Sequence, residues 1–313
     1  MNRAVSEKAR KPAARSRQEA GQASSAFPPE FDPVICRKRY PDLNAMSDAE
    51  LAVHYDVHGR HEGRLVSKIV KRSSFLDLID TRRPTLEIGP FGKPSVKGAN
   101  VRYFDVLDRE GLVARAEIHG VPPDEIPEIH YVSADGDLTI VDETFDAIVS
   151  CHCLEHQPDL VAHLNAAEAI LSDTGHYFLV IPDKRYCFDH FLPESTIADV
   201  LQARHEGRRR HTLASVIEHR ALTTHNEPKR HWAGDHGEPA VTVERVARAL
   251  EEHRVANGGY VDVHAWKFTP QSFRTILAIL HDMSLTRFRP VRVYDTVHGS
   301  NEFYAILEKQ GDA

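Results

Sequence analysis

The sequence is poor in cysteine, in long apolar runs and in net positive charge. Four cysteines among 313 residues (Cys36, Cys151, Cys153 and Cys187) are too few for a disulfide framework in a chain of this size. They read as reduced thiols and point to a cytoplasmic protein. No apolar run is long enough to span a bilayer, so no transmembrane segment is expected. The first 26 residues lack the apolar core of a secretory signal. A formal charge of -7 argues against a nucleic-acid-binding face. What is present is an ordinary soluble composition, 41% hydrophobic and 27% charged, with enough length for one large domain and an appendage.

Residues 1–26 are polar, basic and without periodicity, and read as a disordered tail. Residues 27–66 change character and predict a small helical module. Ser47 and Glu50 form a capping-box pattern, Leu51, Tyr55 and His58 share a helical face, and Gly59 ends the helix. Residues 67–313 read as the main domain, with a helical, histidine-rich insertion at about 189–262. Short apolar runs alternate there with helical stripes: Leu86 to Ile88, Asn100 to Asp108, Ile129 to Ala134, Phe145 to Ser150 and His176 to Ile181. That alternation implies βαβ units and a mostly parallel sheet. Phe288 to Asp295 and Asn301 to Lys309 close the chain as a hairpin across Thr296 to Ser300.

Polar residues gather where these strands end, the edge at which open α/β sheets bind ligands. Thr85 to Pro94 is a strand carrying Glu87 that breaks into Gly89-Pro90-Phe91-Gly92. Glycine at such a break permits positive φ and close approach of a ligand. The second strand ends in Asp105, a carboxylate able to accept from both hydroxyls of a ribose. The third ends at Asp135-Gly136-Asp137, and the fourth runs into Cys151-His152-Cys153-Leu154-Glu155-His156.

This order of strand tips resembles the class I S-adenosylmethionine-dependent methyltransferases over Thr85 to Lys309. It resembles in particular bacterial methyltransferase-domain proteins associated with glycan biosynthesis. The segments that carry the resemblance are Leu86–Pro90, Ser150–His156, Ile181–Asp189, Trp266–Pro270 and Asn301–Tyr304. The residues 27–66 are similar to a short module found beside glycosyltransferase and glycan-modifying domains. The resemblance implies an α/β, Rossmann-like seven-stranded mostly parallel sheet of order 3-2-1-4-5-7-6. It implies S-adenosyl-L-methionine as cofactor, a small-molecule or glycan acceptor, and association with glycosyltransferases. Glu87, Gly89, Pro90 and Phe91 would line the methionine side, Asp105 the ribose, Asp135 and Gly136 the adenine, and Cys153 the closing segment. This sequence departs from the family at Phe91, where a small residue is usual. The segment between Phe91 and the second strand is also too short for a full first helix.

Methyl transfer to a hydroxyl needs positioning and a proton acceptor. His156, His152 and Asp183 are the candidates, with Arg185, Tyr186 and His264 expected to position the acceptor. His152, Glu155 and His156 also match the H-x-x-E-H pattern of zinc hydrolases. Two such histidines share an ion only on a continuous helix. Here they follow a strand directly, and Pro158 disfavours helix at Gln157, so no metal is expected. A third reading keeps the fold as a cofactor-binding scaffold without turnover.

Overall fold

The computed structural model describes residues 26–118, 120–239 and 241–310. The basic tail expected over 1–26 lies, but for Ala26, outside them. Helices α1 (Pro33–Arg39) and α2 (Asp48–His54) open the described chain, and a wider turn, Tyr55–Gly59, continues α2. The capping box forms as expected: the Ser47 hydroxyl accepts from Glu50 N, and the Glu50 carboxylate accepts from Ser47 N at 2.8 Å. These helices enclose a small core of Cys36, Leu43, Leu51, Tyr55 and Val66. Helix α3 (Arg72–Leu76) then leads to the sheet.

The strands are β1 (Thr85–Ile88), β2 (Val101–Asp105), β3 (Tyr131–Val132), β4 (Phe145–Cys151), β5 (Leu171–Pro182), β6 (Phe288–Tyr294) and β7 (Glu302–Lys309). They form one sheet of order 3-2-1-4-5-7-6. Strands β1 to β5 are parallel, and β7 runs antiparallel between β5 and β6. This is the Rossmann-like sheet expected. Its central strands are buried on both faces, as parallel strands under helices must be. Leu86, Ile148 and Leu179 point into one core; Ala147, Val149 and Phe178 point into the other. This is the period-two alternation of strands.

Helix α4 (Arg109–Ile118) follows β2, and α5 (Leu160–Ile170), capped by Asp159, connects β4 to β5. Helices α6 (Ile197–Glu206), α7 (Leu213–Ala221), α8 (Pro228–Trp232) and α9 (Val243–Ala256) build the insertion, and α10 (Pro270–Asp282) returns to the sheet. The segment between β1 and β2 contains no helix, so the departure noted in the sequence is real. One local expectation is corrected. The third strand is only two residues long, because its partner β2 pairs with it only at Phe104 and Asp105. Helix α5 ends at Ile170, because Leu171 already pairs with Phe145 of β4. Among the described residues no helix is long and apolar enough to cross a membrane.

Candidate active site

The C-terminal tips of β1, β2 and β4 and the loop after β3 surround a cavity of about 290 Å³, at the small end of small-molecule sites (roughly 300–1,000 Å³). Gly89 and Phe91 line it from the β1 tip, Asp105 from β2, Asp135 and Gly136 from the third tip, and His152, Cys153 and His156 from β4. Eight of the fourteen residues singled out in the sequence therefore meet at one place.

Local chemistry explains the β1 tip. Gly89 has φ of +70°, and a Cβ there would lie 2.3 Å from the Cys153 sulfur. Only glycine fits. Phe91 also takes a positive φ, +40°, a conformation that costs a non-glycine residue roughly 1–3 kcal/mol. Its ring lies under the Arg115 guanidinium, 5.3 Å from ring centre to carbon. Burial pushes the Cys153 thiol well above its ordinary pKa, so it is a neutral wall rather than a nucleophile. Asp105 is buried; burial raises its pKa, while the Leu107 amide, donating at 3.2 Å, acts in the opposite sense.

The β4 tip carries two histidines, each beside a carboxylate. His152, at φ of +56°, places Nε2 3.0 Å from the Glu302 carboxylate and from Arg72 Nη2. Burial and the pairing to His152 and Arg72 act in opposite senses on Glu302, and the pairing wins: its pKa falls to about 2. His156 places Nδ1 3.1 Å from Asp262 Oδ1. Burial lowers the pKa of His156, but Asp262 and Glu155 outweigh it and hold the ring above its ordinary value. Asp262 moves the other way, against the effect of burial, because His156 and Arg115 face it.

Six expected residues do not line the cavity. Glu87 is turned inward at the base of the loop, accepting from Ser95 N at 2.7 Å and Val96 N at 3.1 Å. It shapes the glycine loop from behind, and burial lifts its pKa to about 7. Pro90 is buried beside it. Asp183 is wholly buried and already satisfied by Arg185 (2.6 Å) and the Thr296 hydroxyl (2.7 Å). A carboxylate so held is a structural anchor rather than a base. Arg185 stays with Asp183, and Tyr186 stacks on Trp232 at 3.9 Å, fastening α8 to the β5 tip. His264 is buried beside Asp189 at 2.6 Å, behind the cavity wall.

Sequence reading assigned no site residue to the side of the cavity supplied by α4 and the insertion, although Arg208 to Arg210 and His211 marked the insertion as basic and histidine-bearing. Arg115, Arg209, Arg210, His211, Tyr260 and Asp262 all line it. Asp262 is the organising group: it pairs with Arg115, receives the Tyr260 hydroxyl at 3.1 Å and faces His156. Burial lowers the His211 pKa to about 4, which keeps that ring neutral. The one local signal was the run Arg208-Arg209-Arg210-His211; nothing near Asp262 in sequence marks it.

A family model described as a methyltransferase domain matches residues 95–179, from the loop after β1 into β5. No curated protein matches the chain. Among solved structures the chain is similar to coclaurine N-methyltransferase bound to N-methylheliamine and SAH (20% identity, 36% of each chain, TM-score 0.25). It is similar to the CcbJ methyltransferase from Streptomyces caelestis (11% identity, 77% of this chain and 89% of that one, TM-score 0.38). It is also similar to a protein described as a putative Zn-dependent alcohol dehydrogenase from Rhodobacter sphaeroides (13%, 76% and 88%, TM-score 0.39). The chain thus spans about a third of the length of the coclaurine enzyme.

Proposed function

We propose that this protein transfers a methyl group from S-adenosyl-L-methionine to a hydroxyl of a small-molecule or glycan-related acceptor. The observation that carries the reading is the meeting of Gly89, Asp105, Asp135 and Gly136 on one cavity in the order the resemblance requires, within and beside the methyltransferase-domain match. The residues suit the cofactor. Asp105 offers a buried carboxylate to two ribose hydroxyls, Asp135 and Gly136 flank the adenine edge, and the Gly89–Phe91 backbone receives the methionine side. Bound there, the cofactor supplies an electrophilic methyl on a positively charged sulfur.

The chain's own task is then to hold the acceptor in line and take its proton. His152 and His156 line the cavity, each steadied by a carboxylate, Glu302 or Asp262. That arrangement orients each imidazole, and at His156 the facing Asp262 favours the protonated form once the hydroxyl has given up its hydrogen. Arg209 and Arg210 add positive charge on the insertion side, which suits an anionic or sugar-phosphate acceptor. The likeness of residues 27–66 to modules found beside glycosyltransferases supports a glycan-assembly setting.

Calorimetry with S-adenosylmethionine and S-adenosylhomocysteine tests the first half. One site per chain, lost in Asp105→Ala, is expected; absence of binding in the wild type overturns the reading. Labelled-methyl transfer to nucleotide-sugars and surface-glycan fractions tests the second half. Binding with no transfer to any acceptor leaves a cofactor-binding scaffold, the reading that the strained Phe91 and the missing first helix favour.

A further inference from the structure

Glu155 stands apart among the described ionisable groups in that both its carboxylate oxygens are unpartnered. Its side chain is wholly buried, and neither oxygen has a hydrogen-bond partner among the described residues. An uncompensated buried carboxylate costs several kcal/mol, so its surroundings should explain it. Three imidazoles ring it: His152 Nδ1 at 3.6 Å, His264 Nε2 at 3.8 Å and His156 Nε2 at 3.9 Å. All three are too long for hydrogen bonds.

The far sides of two of these rings decide their tautomers. Asp189 lies 2.6 Å from Nδ1 of His264, and Asp262 lies 3.1 Å from Nδ1 of His156. An ionised carboxylate only accepts, so Nδ1 of His264 carries the hydrogen; the negative charge of Asp262 favours the same tautomer at His156, and in the neutral rings Nε2 presents a lone pair. Two lone pairs and a carboxylate then face one another across a small gap. Acceptors so arranged repel unless a positive centre lies between them.

We infer that Glu155, His156 and His264 form a binding site for a divalent first-row transition-metal ion. The three donor atoms lie within 4.8 Å of one another. Neighbouring donors of a tetrahedral ion with bonds of ~2.0–2.1 Å lie about 3.3 Å apart, so the Glu155–histidine gaps close by about half an ångström and the gap between the two rings by at most about 1.5 Å. His264 donates its other ring hydrogen to Asp189, the outer arrangement that metal-bound histidines almost always have, and Asp262 stands 3.1 Å from the corresponding nitrogen of His156. The two ligand segments are also pinned together: Ala265 N and Trp266 N donate to the Glu155 carbonyl at 2.7 and 3.1 Å. Two imidazoles and one carboxylate suit zinc, iron or cobalt rather than magnesium or calcium. The set differs from the H-x-x-E-H one weighed in the sequence. His152 is turned to Glu302 and Arg72, and its place is taken by His264, more than a hundred residues downstream.

The site rests on side-chain geometry and does not depend on the proposed methyl transfer. The two meet at His156, which belongs both to the trio and to the cavity. With its Nε2 on the ion, His156 cannot accept a proton, and that role passes to His152.

The test uses the full chain stripped with a chelator and titrated with Zn²⁺ against a chromophoric competitor, with Co²⁺ absorption as a second readout. One ion per chain is expected. Glu155→Gln and His264→Gln should abolish stoichiometric uptake. Asp189→Asn, which removes the carboxylate behind the ring of His264, should weaken it roughly 10–100-fold. Cooperative thermal melting by circular dichroism shows that each variant folds, and cofactor calorimetry, run separately, tells failure of this site from failure of the methyltransferase reading. Absence of one-to-one uptake by the wild type overturns the inference, since protons or a water would then fill the gap. Uptake kept in both Glu155→Gln and His264→Gln overturns it too. So does uptake lost only in His231→Gln, which would place the ion in the separate His190, His231 and His236 cluster.

Discussion

Two helical appendages sit on one sheet, and they do opposite things. The N-terminal helices fasten to the end of β6, at the outer edge of the sheet and away from the cavity. Tyr55 donates to Asp295 at 3.0 Å, Arg60 pairs with the same carboxylate, Arg274 joins it at 3.1 Å, and the Tyr294 hydroxyl donates to the Pro28 carbonyl at 2.7 Å. None of their residues lines the cavity. The insertion reaches over the strand tips and supplies one wall of the cavity through Arg209, Arg210, His211, Tyr260 and Asp262. Both are joined to the sheet by ion pairs around a single carboxylate, Asp295 on one side and Asp262 on the other. Similar polar chemistry serves attachment in the first case and a site in the second, because Asp295 follows β6 at the outer edge of the sheet, whereas Asp262 faces the cavity at the tips of β1, β2 and β4.

The sharpest way to break this comparison is to remove the two carboxylates in turn. Asp262→Ala strips Arg115, Tyr260 and His156 of their common partner. Turnover in the labelled-methyl assay should fall at least ~100-fold, the scale of a lost acid–base arrangement, with the melting temperature changing far less. Equal losses of stability and activity would show that Asp262 is only a fastener. Asp295→Ala should do the reverse. It leaves two arginines facing an emptied, largely buried position, at a cost of about 3 kcal/mol in denaturant unfolding, while calorimetric cofactor affinity stays within error. A large loss of affinity would mean that the N-terminal helices act on the site after all.

Smaller effects sharpen the picture of the scaffold both appendages share. Gly89→Ala forces a Cβ against the Cys153 sulfur at a positive φ, and should cost roughly 1–3 kcal/mol in stability together with weaker cofactor binding. Adding Cys153→Ala should return part of both, and no recovery would mean that backbone strain alone accounts for the loss. Glu87 gives the smallest signal. Its folded pKa of about 7 lies above the ordinary 4.5, so the folded state holds the proton more tightly. Its contribution is complete below pH 4.5 and is lost as pH rises through 7, with a slope of at most about 1.4 kcal/mol per pH unit. Unfolding of wild type and Glu87→Gln, compared at pH 5 and pH 8, should show the variant gaining relative to wild type at the higher pH. A constant difference would mean that the carboxylate is ionised in the fold throughout.

The sequence by itself determined the sheet and the tips of its strands. Apolar runs such as Leu86 to Ile88 and Phe145 to Ser150 must be buried, and a glycine break such as Gly89 is written locally, because backbone conformation and period-two burial depend on near neighbours. That is why Gly89, Asp105, Asp135, Gly136, His152 and His156 could be named before any fold was known. Tertiary structure alone decided how side chains were used. Glu87 and Asp183 carry the same carboxylate as Asp105, yet both turn inward to satisfy buried amides, an arginine and a hydroxyl. Asp262 meets Arg115 across 147 residues, and His264 meets Glu155 across more than a hundred. Pairings of that range leave no periodicity in the chain, since they arise only when packing of the sheet and its insertion brings distant charges into one low-dielectric space.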